Sequence, residues 1–129
     1  MSNGDGQARL LVVDDDADFA RFVCEVGERY DFAVASAGNG AIGRRRFREF
    51  RPDIVLLDLI MPHVDGIEFI DWLGTEGAHV RLIVVTGFNP NYGRLAEKLA
   101  AARGLSSVAV LTKPVRIATL LKALRGDAA

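Results

Sequence analysis

The sequence is short of cysteine, of net charge and of long apolar runs, and each shortage excludes a class of protein. Its 129 residues include one cysteine, Cys24, so an intramolecular disulfide framework is excluded and Cys24 is expected in the core. The net charge of −1 gives no reason to expect nucleic acid or an anionic membrane as a partner. No stretch is apolar enough for a membrane span, and residues 1–8 lack the apolar core of a signal peptide. These absences predict one soluble cytoplasmic domain.

What the sequence does contain is five apolar segments rich in Val, Ile and Leu, most of which do not alternate with polar residues. That pattern is typical of strands covered on both faces in a parallel sheet. The segments between them repeat apolar residues at helical spacing. The alternation predicts a doubly wound, flavodoxin-like α/β fold with five parallel strands flanked by five helices. The predicted strands are residues 9–14, 32–36, 53–58, 80–86 and 106–112.

Helical spacing also predicts which side chains face the core. Leu95 and Leu99 are expected to be inward in the fourth helix, and Ile117 and Leu120 in the fifth. The predicted layout is a flexible leader over 1–8, a folded domain over 9–126 and a short tail over 127–129.

Polar residues follow the apolar segments where the strands should end. Ligands of open parallel sheets bind beyond the carboxyl ends of the strands, so these residues are expected at one edge. Carboxylates that crowd together repel one another, and a divalent cation would relieve the repulsion. Oxygen ligands suit Mg²⁺ in particular, and a lysine and a hydroxyl beside it would make a pocket for phosphoryl transfer. The residues are Asp14, Asp15 and Asp16 after the first strand, Asp58 after the third, Thr86 after the fourth and Lys113 after the fifth.

Four motifs in this order, LLVVDDD, IVLLDLIMPHVDG, VVTG and LTKP, resemble the CheY-like receiver domain of bacterial two-component response regulators. The resemblance covers residues from about Arg9 to about Arg125, with little chain left for an output domain. It implies a stand-alone response regulator that is phosphorylated by a histidine kinase or a histidine phosphotransfer protein. It implies no enzyme activity beyond its own phosphorylation and dephosphorylation.

The resemblance also implies residue roles. Asp58 would be the nucleophile that accepts the phosphoryl group. Asp15, Asp58 and the backbone carbonyl of Ile60 would bind Mg²⁺, and Asp14 would help through water. Thr86 would donate a hydrogen bond to the phosphoryl group, Lys113 would pair with its charge, and the Lys113–Pro114 peptide would be cis.

Other features have ordinary structural interpretations. Asp16 suits the N-cap of the first helix. The four arginines of the second helix suit a solvated face. His63 and His79 have no second His or Cys at ligand spacing, so a transition-metal site is not expected. The arginines are Arg44, Arg45, Arg46 and Arg48.

Each rival function either requires a residue that this chain lacks or does not account for the polar residues that the chain contains. A haloacid-dehalogenase-type phosphatase has a second aspartate two residues after the nucleophile, where this chain has Ile60. A P-loop needs Lys and Ser or Thr after its glycines, where this chain has Arg44 and Arg45. A flavodoxin would not need Lys113, and a pseudo-receiver would have lost part of the acidic or lysine set.

Three departures from the family bear on output and lifetime. Val110 stands where relatives often have an aromatic ring that moves on activation. The segment from Thr86 to Lys113 is about one helical turn longer than usual, so it holds an extended loop, a longer helix or both. Ile60 and Phe88 replace residues that are polar in many relatives, which predicts slow loss of the phosphoryl group.

These departures predict an output surface on the fourth helix and its preceding loop. Phe88 or Tyr92 is the expected moving part, with Arg94 and Lys98 as partner contacts. The sequence leaves three outcomes open: a final effector with an unknown protein target, an intermediate that passes phosphate to a histidine phosphotransfer protein, and a phosphate sink.

Overall fold

The computed structural model describes residues 6–59, 61, 66–76, 79–87, 90–105 and 107–126. Strands and helices alternate through the chain as the apolar pattern predicts. The strands are β1 (Ala8–Val13), β2 (Phe32–Ala37), β3 (Ile54–Asp58), β4 (Arg81–Thr86) and β5 (Val108–Thr112). The helices are α1 (Ala17–Arg29), α2 (Gly40–Phe50), α3 (Gly66–Thr75), α4 (Pro90–Ala102) and α5 (Ile117–Arg125).

All five strands are parallel and form one sheet in the order β2-β1-β3-β4-β5. The chain therefore reverses its winding direction after β2, and β1 and β3 lie side by side at the switch point. This confirms the predicted fold class. The strand bounds differ from the predicted ones by one or two residues, and β1 ends at Val13, so Asp14 opens the following loop.

The core has two layers, one on each face of the sheet. Successive residues of β1 and β3 point to opposite faces, so a strand buried on both sides must be apolar throughout. Leu11 and Leu57 pack toward α2, α3 and α4, whereas Leu10 and Leu56 pack toward α1 and α5. Burying each such leucine stabilises the fold by about 1.5–3 kcal/mol.

The orientation of α4 differs from the sequence prediction. Leu95 is 53 % exposed, while Ala96 and Ala100 are fully buried and Leu99 is partly buried. A Cβ on Gly93 would lie 2.5 Å from Cγ1 of Val110, so the helix backbone approaches β5 closely at this point. Small residues therefore form the packed face, and that close approach turns Leu95 outward.

Two further expectations about helices can be compared with the structure. Ile117, the first residue of α5, is 46 % exposed, so its predicted inward orientation is wrong, whereas Leu120 is fully buried as predicted. Within the long segment between Thr86 and Lys113, α4 spans 13 residues, so a long helix accounts for much of the length.

Candidate active site

Three strands end in a buried polar residue at the carboxyl edge of the sheet. Asp14 follows β1, Asp58 is the last residue of β3 and Thr86 the last of β4. They are 2 %, 5 % and 1 % exposed, and they are the buried polar or charged residues of the described part of the chain. Because burying polar groups costs free energy, three at one edge indicate a functional site.

Backbone contacts directly after β3 hold Asp58 in a fixed position. The Leu59 amide donates to Val85 O at 3.1 Å, and the Gly66 amide at the start of α3 donates to Leu59 O at 3.2 Å. A Cβ on Gly66 would lie 2.6 Å from the Leu59 Cα and 2.9 Å from Asp58 O, so only glycine fits this close crossing. The carboxylate is thus held at the strand end by backbone contacts on both sides.

Asp14, Asp15 and Asp58 form an acidic cluster. One carboxylate oxygen from each lies within 4.8 Å of the others. Asp15 is exposed, and a cleft of about 440 Å³ next to the cluster is lined by Asp14, Asp15, Arg21, Cys24 and Ser36, among others. The cluster is therefore open to small ions and ligands from the α1 side.

Lys113 supplies positive charge to the cluster. Its Nζ lies 3.4 Å from Asp14 Oδ2 and 3.7 Å from Asp58 Oδ2. Its amide donates to Thr86 O at 2.9 Å, which ties the end of β5 to the end of β4, and the Lys113–Pro114 peptide is cis as predicted. Nζ also lies 4.4 Å from the ring centroid of Phe19.

The charges of the site are not balanced within the described residues. Burial, and next the Asp58 charge, raise the pKa of Asp14 to about 6, although the Asp16 amide and Lys113 oppose the rise. Asp14 Oδ1 accepts a hydrogen bond from the Asp16 amide at 2.8 Å, whereas buried Oδ2 has no hydrogen-bond partner. A buried carboxylate oxygen that lacks a donor, within a cluster of three carboxylates, fits a hard divalent cation such as Mg²⁺.

The structure brings together most of the residues that the sequence singled out. Asp14, Asp15, Asp58 and Lys113 share one site, and Thr86 ends the neighbouring strand. The predicted ligand carbonyl of Ile60 lies outside the described residues, as do Pro62, His63, Asp65 and Phe88.

The N-cap prediction for Asp16 is confirmed. Its Oδ1 accepts hydrogen bonds from the amides of Asp18 at 3.1 Å and Phe19 at 3.2 Å. The cap fixes the first turn of α1 directly after the acidic residues. Sequence reasoning missed the contact of Phe19 with Lys113, because the apolar pattern of α1 carries no information about β5.

The remaining sequence interpretations are partly changed. The arginines of α2 are exposed, but Arg44 and Arg48 lie over the Trp72 ring at 5.6 and 5.5 Å, so the face is not purely solvated. Cys24 is half-buried against the α1 side of the core, and burial followed by Glu28 and Glu25 raises its pKa. In the described part of the chain, the acidic cluster is the group with metal-ligand geometry, and it contains no histidine.

The comparisons with known proteins agree with this geometry. Residues 10–125 match the family described as the response regulator receiver domain. The chain belongs to that family. It is 32 % identical over 119 residues to the protein PilH of Pseudomonas aeruginosa, covering 91 % of this chain and 94 % of PilH. It is 48 % identical over 62 residues to the DNA-binding response regulator MtrA of Mycobacterium tuberculosis, covering 46 % of this chain but 26 % of MtrA.

Solved receiver domains share the fold. The response regulator receiver domain from Clostridium thermocellum superposes with a TM-score of 0.81 at 26 % identity, covering 92 % of this chain and 91 % of that one. The CheY-like receiver domain protein from Methanospirillum hungatei gives the same TM-score of 0.81 at 22 % identity, with 93 % and 92 % covered. None of the helices in the described residues has the length and apolarity to cross a membrane.

Proposed function

We propose that this receiver domain accepts a phosphoryl group on Asp58 from a phosphohistidine donor in a cytoplasmic two-component system or phosphorelay. The observation that carries the proposal is the set of buried polar residues at the strand ends, Asp14, Asp58 and Thr86, with the Lys113 ammonium beside two of them. A purely structural edge would not bury two carboxylates 3.4 and 3.7 Å from a single lysine.

The proposed reaction is an in-line transfer. A carboxylate oxygen of Asp58 attacks the phosphorus, the P–N bond to the donor histidine breaks, and the imidazole leaves with its electron pair and takes a proton. The product is an acyl phosphate on Asp58. The Lys113 ammonium balances the charge on the phosphoryl oxygens, and the Thr86 hydroxyl donates a hydrogen bond to one of them.

The acidic residues beside Asp58 have a separate role in this proposal. Asp15 and Asp58 would hold Mg²⁺, and Asp14 would support it through water. When bound, the cation neutralises charge on the phosphoryl group and on the carboxylates. Asp14 belongs to this set because its Oδ2 is buried without a hydrogen-bond donor, although the oxygen lies close to Lys113.

The domain acts on itself and not on a separate substrate in this proposal, so it is not a conventional enzyme. Its output is a changed protein-binding surface. The exposed side of α4, which carries Tyr92, Arg94, Leu95 and Lys98, supports that choice. The close packing of Gly93 on Val110 would transmit a shift of β5 directly to α4.

The output proposal is tested with beryllofluoride, a phosphoryl mimic, in the presence of Mg²⁺. Amide shifts should change at Gly87 and along α4 to Lys98. Changes confined to α1 or α2 would contradict this choice of surface.

The phosphorylation proposal is tested with acetyl phosphate and Mg²⁺. Intact mass should show one phosphoryl group on the wild-type protein and none on Asp58→Asn. Asp53→Asn is the matched control, because Asp53 lies at the opposite end of β3, and it should be phosphorylated normally. Equal uptake by wild type and Asp58→Asn would overturn the assignment.

A further inference from the structure

The ring of Phe19 faces the ammonium of Lys113. Its centroid lies 4.4 Å from Nζ, inside the distance of about 6 Å at which a cation is attracted to an aromatic face. The Lys113 side chain is 25 % exposed, so the contact is partly shielded from water. The attraction of a cation to an aromatic face is stronger when the contact is desolvated.

The carboxylates alone do not fix where the ammonium lies. Nζ is 3.4 Å from Asp14 Oδ2 and 3.7 Å from Asp58 Oδ2, both longer than a well-formed charged hydrogen bond. Their attraction also changes when a carboxylate is protonated, binds a cation or accepts a phosphoryl group. The attraction of the uncharged ring does not depend on those events.

The ring itself is held in place by the start of α1. The Phe19 amide donates to Asp16 Oδ1 at 3.2 Å, so the N-cap fixes the first turn. Phe19 also packs against the α1 side of the core and lies 6.1 Å from the Phe22 ring, centroid to centroid. The aromatic face is therefore a fixed surface on the otherwise acidic α1 side of the site.

We propose that Phe19 is a positioning residue for phosphorylation: its ring holds the Lys113 ammonium next to Asp58 whatever the charge state of the carboxylates. The proposal rests on the proposed function of Asp58. Phe19 does not touch the phosphoryl group, and it acts only through Lys113. Through Phe19, α1 would therefore take part in phosphorylation, in addition to following the acidic residues in the chain.

The first measurement detects the contact without any phosphorylation. The ring current of Phe19 should shift the ε-proton resonances of Lys113 upfield, and Phe19→Leu should remove that shift. Phe32→Leu is the matched control, because Phe32 packs against the same core layer but lies at the amino end of β2. Absence of the upfield shift in the wild-type protein would overturn the placement of the lysine.

The second measurement concerns the rate of phosphorylation by acetyl phosphate. Phe19→Leu should lower the rate constant about threefold to tenfold, the equivalent of a cation–π contact of ordinary strength. Its Mg²⁺ affinity should change little, because Asp15 and Asp58 remain in place, whereas a general distortion of the site would alter both the rate and the affinity. Phe19→Tyr and Phe19→Trp should restore most of the rate.

Progressive fluorination of Phe19 separates the electrostatic effect from packing. Each added fluorine weakens the negative face of the ring with little change of shape, so the rate should fall stepwise along the series. A constant rate along the series, or an equal loss in Phe32→Leu, would overturn the proposal. If the ring-current shift is present but wild type takes up no phosphoryl group, the proposed function fails while the lysine placement stands.

Discussion

The amino and carboxyl edges of the sheet both carry charged residues, but the hydrogen bonds of these residues differ. At the amino edge, Arg81 donates hydrogen bonds to the carbonyls of Ala123 and Leu124 at the end of α5. Asp53 Oδ2 accepts a hydrogen bond from the Arg9 amide at 2.8 Å. At the carboxyl edge, Asp14 Oδ2 is buried without a hydrogen-bond donor, and Lys113 Nζ lies 3.4 and 3.7 Å from Asp14 and Asp58, two of the three clustered carboxylates.

This comparison distinguishes the charged residues of the amino edge, which stabilise the fold, from those of the carboxyl edge, which we expect to bind a ligand. At the amino edge each named charge completes a helix end or a neighbouring strand, so removing it should cost stability alone. At the carboxyl edge the clustered carboxylates repel one another until a cation neutralises them. Removing one of these carboxylates should therefore reduce phosphorylation or Mg²⁺ binding, while stability should change little or rise.

The largest expected effect is on the lysine of the carboxyl edge. Lys113→Met should slow phosphorylation by acetyl phosphate by about a hundredfold or more, because it removes the charge that stabilises the transferred group. Lys122→Met, an exposed position on α5, is the matched control and should retain the wild-type rate. A rate for Lys113→Met within threefold of wild type would remove Lys113 from the mechanism.

The arginine of the amino edge should show the reverse pattern. Arg81→Met removes the guanidinium donors of the Ala123 and Leu124 carbonyls, although Ala123 O keeps the Gly126 amide as a donor, so the free energy of unfolding should fall by about 1–3 kcal/mol. The phosphorylation rate of the folded variant should stay at the wild-type value. Urea denaturation measures the first quantity, with exposed Arg125→Met as control; a slowed phosphorylation at unchanged stability would contradict the comparison.

Asp15 separates cation binding from the acceptor. Asp15→Asn should weaken Mg²⁺ binding about tenfold to a hundredfold, since it removes a charged oxygen ligand while leaving Asp58 in place. Trp72 fluorescence or amide shifts can follow the titration. Asp18→Asn is the control, because Asp18 is exposed on α1 and lies outside the acidic cluster. Equal Mg²⁺ affinities of wild type and Asp15→Asn would exclude the role.

The smallest expected effect is that of Asp14 on the free energy of unfolding, and the direction of its pKa shift fixes the sign of that effect. Burial raises its pKa from 3.8 to about 6, so the folded state holds the proton more tightly than the unfolded state does. The free energy of unfolding should therefore fall as pH rises from 3.8 to about 6 and stay lowered above that. Without Mg²⁺ at neutral pH, Asp14→Asn should be more stable than wild type by about 1–2 kcal/mol.

Urea denaturation at several pH values measures the Asp14 effect. The difference between the variant and wild type should shrink toward pH 4 and shrink also when Mg²⁺ is added at neutral pH, because the wild-type site has one more carboxylate and should bind the cation more tightly than the variant does. Asp31→Asn, at an exposed position, is the control. A variant that is less stable than wild type at neutral pH without Mg²⁺ would contradict the account.

The sequence was sufficient for the fold and for most of the candidate site, because both follow from one-dimensional pattern. Apolar segments of strand length locate β3 and β4, and the residues that end them, Asp58 and Thr86, then lie at one edge by the geometry of parallel strands. Lys113 was found in the same way, through its place at the end of β5.

Details set by the contact of one element with another were missed. The rotation of α4 depends on how closely Gly93 approaches Val110, and the apolar pattern alone placed Leu95 inward. The ring of Phe19, on the first helix, faces a lysine that follows the last strand. Neither contact leaves a periodic trace in the sequence.

The central claim is that Asp58 takes up the phosphoryl group in a reaction that depends on Mg²⁺. Borohydride reduces an aspartyl phosphate to homoserine, so peptide mapping after reduction reports the modified position directly. The protein should be treated with acetyl phosphate in Mg²⁺ or in EDTA, reduced and digested. Homoserine at position 58 in Mg²⁺ and unmodified Asp58 in EDTA is the predicted result. Homoserine at Asp14, Asp15 or Asp53 with Asp58 unmodified, or equal modification of Asp58 in EDTA, would contradict it.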